Sequence, residues 1–142
     1  MSWLAPTGFV SFVGAGDVVT VLIIDDDPHT GAMLKDFVTL QGYEGQWVAD
    51  AAEALRALTQ APPDLVLLDI LMPGLSGLEA LPSIRALAPR VPVIMVSGAS
   101  DEELGRQALL HGAFDYVVKP IDLGYLAQTV ETALLMNQIR PD

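Results

Sequence analysis

Short, continuous apolar runs alternate along the chain with segments whose apolar residues recur at helical spacing. Four such runs occupy residues 18–24, 65–68, 91–96 and 116–118. Because their apolar character is continuous rather than alternating, they are typical of strands buried on both faces of a parallel sheet. A fifth strand, more polar and therefore expected at a sheet edge, is predicted at residues 45–49.

Five helices are predicted between and after these strands. The residues that indicate helix ends are Asp27 and Asp50 before the first two helices, Gly42 after the first, Ser100 and Glu103 at the fourth, and Asp122 and Ile139 at the two ends of the last. The residues expected to face the core are Met33, Leu34, Phe37 and Val38, then Ala52, Leu55 and Leu58, then Leu78, Leu81 and Ile84, and finally Leu123, Leu126, Ala127, Val130 and Leu134. Pro82 lies inside the third helix and predicts a kink or a delayed start there.

This order of elements predicts the fold class. Strand–helix units in series favour right-handed crossovers and helices on both faces of the sheet. We therefore expect an α/β fold, a doubly wound five-stranded parallel sheet of the flavodoxin-like kind with strand order 2-1-3-4-5 and five helices. A chain of 142 residues argues for one such domain at 18–139, with a leader at 1–17 and a short tail at 140–142.

Composition narrows the possible partners. The formal net charge of −11 disfavours direct binding to nucleic acid or to an anionic membrane, and it favours a metal cation or a basic partner surface. The chain has no cysteine, which excludes disulfides and thiolate zinc sites and fits a cytoplasmic location. No apolar run is long enough to span a bilayer, and the leader lacks the basic start of a signal peptide.

Polar residues with compatible chemistry follow four of the predicted strands. Asp25 and Asp26 end the first, Asp69 the third, Ser97 the fourth and Lys119 the fifth. Each residue alone has a plainer explanation as a helix cap, a turn residue or a solvated lysine. Four such explanations at four strand ends of one fold are jointly improbable, because the carboxyl ends of parallel strands share one edge.

These residue types suit the transfer of a phosphoryl group. An aspartate is an accepted covalent nucleophile, and a phosphoryl group on Asp69 would bring negative charge into an acidic pocket. Mg2+ held by the carboxylates of Asp25 and Asp26 can balance that charge. Lys119 can pair with Asp69 and then with the phosphoryl oxygens, to which the Ser97 hydroxyl can donate. Since clustered carboxylates repel one another, Mg2+ is expected to raise the melting temperature.

Four stretches, taken in order, resemble the receiver domain of two-component response regulators. They are residues 21–28 with the acidic pair, 64–74 with a Met-Pro-Gly turn after Asp69, 93–98 ending in Ser-Gly, and 112–120 ending in Lys-Pro. The resemblance covers roughly residues 18–138, and the ordered combination is more specific than any one piece.

The resemblance implies a set of metal ligands and a phospho-acceptor. Asp69 would accept the phosphoryl group. Asp25 and Asp26 would form the acidic pair, with Asp26 the more direct ligand of Mg2+. The backbone carbonyl of Leu71 would be a further ligand. The domain would then be a signalling domain and not an enzyme, catalysing only its own phosphotransfer and dephosphorylation.

The resemblance also implies a switch and partners. Ser97 and Lys119 would bind the phosphoryl group, and Ser97 and Tyr116 would change position to alter the surface of the fourth helix, fifth strand and fifth helix. The implied partners are a sensor histidine kinase or a phosphotransfer protein, a downstream output domain or protein, and possible second copies of the chain in a homodimer.

Three other readings stay open. A pseudo-receiver would use the same fold only for binding and would not be phosphorylated. An aspartate-nucleophile phosphatase of the haloacid dehalogenase type shares the strand-end Asp and Mg2+, but His29 stands where its signature requires Thr or Val. FMN binding is disfavoured because no Thr- and Gly-rich loop follows the first strand.

Overall fold

Five strands and five helices alternate in a computed structural model that describes residues 18–72, 74–98 and 102–139. The strands are β1 (Thr20–Ile24), β2 (Glu44–Val48), β3 (Leu65–Asp69), β4 (Val93–Ser97) and β5 (Asp115–Val118). The helices are α1 (Pro28–Leu40), α2 (Ala51–Gln60), α3 (Gly77–Leu87), α4 (Glu102–Leu110) and α5 (Leu123–Gln138). All neighbouring strands are parallel, in the order β2-β1-β3-β4-β5. The predicted fold class and strand order are confirmed.

The apolar runs are buried because helices cover both faces of the sheet. Every residue of β3 and β4 is buried, as expected for central strands. Along β1, Leu22 and Ile24 face a core shared with α2, α3 and α4, whereas Val21 and Ile23 face a core shared with α1 and α5. Each fully buried Leu or Ile stabilises the fold by roughly 1.5–3 kcal/mol.

The predicted helix starts are confirmed where the structure describes them. Asp27, Asp50 and Asp122 are the N-caps of α1, α2 and α5, and each accepts a hydrogen bond from a backbone N–H of the first turn. Gly42 follows the C-cap of α1 with φ 94°, a conformation that favours glycine. The predicted capping residue Ser100 lies outside the described residues, and α4 begins at Glu102.

Three residues expected in the core are instead exposed. Ala52 is exposed because the residues of α2 that face the core are Ala51, Ala54 and Leu58. The first two of these lie one position earlier in the sequence than the predicted ones. Met33 is 37% exposed and Leu123 is 42% exposed. Met33 lies at the border of the α1 stripe, and Leu123 lies in the first turn of α5, before that helix reaches the core at Leu126.

Helix α3 continues through Pro82. The missing N–H of Pro82 leaves the carbonyl four residues earlier without a helical donor. Pro82 is on the exposed side of the helix, where water can satisfy that carbonyl. A capping box that was not predicted opens α3, in which Ser76 and Glu79 bond to each other's backbone N–H.

The two edge strands are less buried than the central ones. β2 is half exposed, as its polar composition predicts. On β5, the Asp115 carboxylate accepts hydrogen bonds from the Tyr116 N–H, at 2.7 Å, and from the Tyr125 hydroxyl of α5, at 2.9 Å. This carboxylate therefore ties the outer strand to the last helix. None of the described helices is long and apolar enough to cross a membrane.

Candidate functional site

The carboxyl edge of the sheet brings the predicted polar residues together. Asp25 and Asp26 follow β1, Asp69 is the last residue of β3, Ser97 is the last of β4, and Lys119 follows β5. The strands end nearly level, because the register pairs the penultimate residue of β3 with the last residue of β1. Such an edge is where doubly wound folds place their binding sites.

Three carboxylates and one ammonium group form the centre of this site. Asp25, Asp26 and Asp69 each offer an oxygen atom, and these atoms lie within 4.8 Å of one another. The Lys119 Nζ lies 3.9 Å from Asp25 Oδ2 and 3.9 Å from Asp69 Oδ1. These separations are too long for hydrogen bonds, so Lys119 acts as a point charge shared between two acids. Three acids against one base leave the cluster negative.

The Asp25 side chain is held in place but incompletely satisfied. Its Oδ1 accepts a hydrogen bond from the Asp27 N–H at 2.8 Å. Its Oδ2 is buried and has no hydrogen-bond partner among the described residues. An unpaired buried carboxylate oxygen is costly, and a hard divalent cation is one group that would satisfy it. This atom and its two acidic neighbours therefore fit the implied Mg2+.

The Asp69 carboxylate is fixed by the chain that follows it. Its Oδ1 accepts a hydrogen bond from the Leu71 N–H at 3.3 Å. The first residue of α3, Gly77, donates its N–H to the Ile70 carbonyl at 2.7 Å. A Cβ atom at Gly77 would overlap the Asp69 carbonyl oxygen, so α3 can begin this close to β3 only because residue 77 is glycine.

Burial and neighbouring charge perturb both buried acids. Burial raises the pKa of Asp69 to about 7, and the negative charge of Asp25 adds to this, while Lys119 opposes it. Burial likewise raises the pKa of Asp25, against the hydrogen bond from Asp27 and the charge of Lys119. Without a cation, the Asp69 carboxyl group is therefore about half protonated near neutral pH.

This perturbation predicts a falling stability of the metal-free protein between about pH 4 and pH 7. Because the folded-state pKa of Asp69, about 7, exceeds its unfolded value of 3.8, the folded chain binds more protons in that interval. The contribution is fully present below the unfolded pKa and is lost as the pH rises through the folded one. Ionisation of Asp69 should lower the free energy of unfolding by on the order of 3 kcal/mol across this interval.

Denaturant unfolding in EDTA from pH 4.5 to pH 8 measures this effect. The informative quantity is the difference between the wild type and Asp69→Asn, since the other acidic groups titrate in both proteins. A difference that does not change with pH would contradict the raised pKa of Asp69.

Ser97 and Tyr116, the two predicted switch residues, make different contacts. Ser97 is fully buried, its hydroxyl donates to the Gly98 carbonyl at 3.1 Å, and its own carbonyl accepts from the Lys119 N–H at 2.7 Å. The half-buried Tyr116 ring packs against Gly105 of α4, where an added Cβ would lie 2.6 Å from the ring. Ser97 is thus joined to the chain that carries Lys119, whereas Tyr116 joins β5 to α4.

Two residues that contact the backbone of the acidic cluster were not predicted from the sequence. Trp47, read only as an edge-strand residue, donates its indole N–H to the Asp25 carbonyl at 2.8 Å. Gly77 was not singled out at all. The available signal was the strand pairing, since the residue after Trp47 aligns with the last residue of β1 and so brings Trp47 near Asp25.

The strand order and the acidic cluster at the carboxyl edge define the chain as a flavodoxin-like α/β domain. Residues 21–131 match the family described as the response regulator receiver domain. The chain therefore belongs to this family, which consists of signalling domains of two-component systems.

Relatives and solved structures agree with this assignment. The chain is 37% identical over 122 residues to the regulatory protein AtoC of Escherichia coli, covering 86% of this chain and 26% of AtoC. It is 40% identical over 114 residues to the transcriptional regulatory protein PrrA of Mycobacterium tuberculosis, covering 80% of this chain and 49% of PrrA. The chain thus spans half or less of the length of these relatives.

Two solved structures illustrate the shared fold. NtrX from Brucella abortus superposes with a TM-score of 0.83 at 31% identity, covering 87% of this chain and 28% of NtrX. A response regulator receiver domain protein from Clostridium thermocellum superposes with a TM-score of 0.81 at 28% identity, covering 86% of this chain and 98% of that one.

Proposed function

We propose that Asp69 accepts a phosphoryl group and thereby switches this domain between two signalling states. The observation that carries the proposal is the position of its buried carboxylate, which forms one cluster with two further carboxylates and the Lys119 ammonium. Membership of the receiver family supports the same assignment. Asp25, Asp26, Asp69 and the Leu71 backbone carbonyl are the proposed ligands of Mg2+.

Transfer of the phosphoryl group to Asp69 requires the protein to supply a nucleophile and to balance charge. A carboxylate oxygen of Asp69 attacks the phosphorus atom, an acyl phosphate bond forms, and the bond between phosphorus and its donor breaks. When bound, Mg2+ would neutralise the pocket and the incoming phosphoryl oxygens. Lys119, already 3.9 Å from Asp69, balances the charge that the new group brings. The domain is thus a signalling device that catalyses only its own phosphotransfer and dephosphorylation.

Phosphorylation would change the contacts of Ser97 and Tyr116 and thereby alter the surface of the domain. The Ser97 hydroxyl would exchange its bond with the Gly98 carbonyl for one with a phosphoryl oxygen, drawing the end of β4 toward Asp69. Tyr116 packs between β5 and α4 and would move with that change. The surface of α4, β5 and α5 would then present a different shape to its partner, as a local charge event that shifts a two-state population.

The proposed partners follow from this cycle. A sensor histidine kinase or a phosphotransfer protein would supply the phosphoryl group in the cytoplasm. An output domain, a separate output protein or a second copy of the chain would read the changed surface. The strongly negative charge of the chain argues against direct contact with nucleic acid.

The deciding measurement is the intact mass of the protein after incubation with acetyl phosphate, once in the presence of Mg2+ and once in EDTA. One phosphoryl group per chain, gained only with Mg2+, is the expected result. A parallel beryllofluoride titration detects an acceptor whose phosphoryl group is too short-lived to weigh. A chain that responds to neither reagent would be a pseudo-receiver that acts through binding alone.

A further inference from the structure

The backbone of Asp25 is bonded on both sides to the edge strand β2. Its N–H donates to the Val48 carbonyl at 3.1 Å, and its carbonyl accepts the Trp47 indole N–H at 2.8 Å. Both backbone polar groups of Asp25 are therefore satisfied by consecutive residues of one neighbouring strand. The first acid of the cluster is thus anchored by its main chain, independently of its carboxylate.

The same indole ring also contacts the helix that follows the acidic residues. A Cβ atom at Gly31, in the first turn of α1, would overlap the Trp47 ring. Gly31 in turn donates its N–H to the Asp27 carbonyl at 2.8 Å. Trp47 therefore touches the chain at Asp25 and again at Gly31, so one side chain spans the segment that carries all three consecutive aspartates.

From these contacts we propose that Trp47 is a positioning residue for the cation site, acting through the Asp25 carbonyl and the Gly31 contact. The inference rests on the proposed function, since it concerns the affinity of the same site for Mg2+. Three carboxylates with oxygen atoms within 4.8 Å repel one another in the absence of a cation. The anchored backbone of Asp25 resists that repulsion and limits how far the ligand oxygens can move apart.

Calorimetric titration of Mg2+ into wild type and Trp47→Phe tests this role. The phenyl ring retains much of the packing against Gly31 but cannot donate to the Asp25 carbonyl. We expect the dissociation constant for Mg2+ to rise about tenfold, the lower end of effects for groups that orient metal ligands. Tyr125→Phe is the matched control, because it also removes one hydrogen bond donated by an aromatic side chain, far along the chain from the acids.

Melting in EDTA separates positioning from general stability. A merely structural Trp47 would lower the melting temperature of the variant in EDTA while leaving its dissociation constant for Mg2+ within twofold of wild type, and that result would overturn the inference. Should Trp47→Phe fold poorly, Gly31→Ala keeps the indole and displaces it, and weaker Mg2+ binding is again expected. A wild type that binds no Mg2+ would reject the cation site itself, and with it this role.

Discussion

The Asp69→Asn variant is expected to gain no phosphoryl group from acetyl phosphate under conditions that load one group onto each wild-type chain. An amide lacks the anionic oxygen that must attack phosphorus. The neighbouring acids Asp25 and Asp26 are the proposed ligands of Mg2+, so their carboxylates are not expected to replace it as the nucleophile. The measurement is intact mass, and the expected loss of adduct is complete.

The same substitution should stabilise the metal-free protein. Asp69 is a buried acid whose pKa is raised to about 7, so its ionisation above that pH destabilises the fold. In EDTA at pH 8, Asp69→Asn is expected to melt at a higher temperature than the wild type, while the stabilisation by Mg2+ should shrink.

Asp64→Asn is the matched control at the other end of the same strand. Asp64 is exposed, precedes β3 and accepts hydrogen bonds from the backbone N–H and the hydroxyl of Thr20. The Asp64→Asn substitution should leave phosphorylation of Asp69 intact and should not raise the melting temperature. If the Asp69→Asn variant is still phosphorylated, another residue is the acceptor and the proposed role of Asp69 is wrong.

Gly77→Ala is expected to destabilise the protein by about 3 kcal/mol or more. The added methyl group would overlap the Asp69 carbonyl oxygen, which is backbone in a fully buried strand and cannot swing aside. Relief of the overlap requires the start of α3 to move away from β3. That movement breaks the hydrogen bond from Gly77 to Ile70 and disturbs the peptide that carries Asp69.

Gly74→Ala separates this steric effect from the general effect of losing a glycine. Gly74 has φ +79°, but a Cβ there would meet nothing within 4 Å. Its substitution should therefore cost only the left-handed backbone penalty, about 1–2 kcal/mol. Urea unfolding of both variants in EDTA gives the comparison. Equal losses for the two variants would show that α3 can shift without penalty.

Much of the fold could be predicted because its signals are local. Continuous apolar runs indicate buried parallel strands, and the serial strand–helix pattern leaves few topologies. The convergence of Asp25, Asp69 and Lys119 followed from that topology, since all three sit at carboxyl ends of strands. The roles proposed for these residues stay predictions until the adduct is measured.

The contacts that depend on packing could not be predicted from local signals. In α2, alanine occupies both positions 51 and 52, so hydrophobicity alone did not indicate which one faces the sheet. The bond from Trp47 to Asp25 requires the register of β2 against β1 and the close approach of α1 at Gly31. Both are set by the packed core rather than by the residues nearby in sequence.

The Asp115 carboxylate has a consequence for how other chains can approach the sheet. The N–H of Lys119 points toward β4, where it bonds to Ser97, so the strand period of two directs the Tyr116 N–H outward along the free edge. Asp115 accepts that N–H, and its own second oxygen is held by Tyr125. An incoming strand would find this donor already engaged and a negative charge beside it, which discourages edge-to-edge aggregation. Partners at this side of the molecule are therefore expected to recognise its side chains rather than extend its sheet.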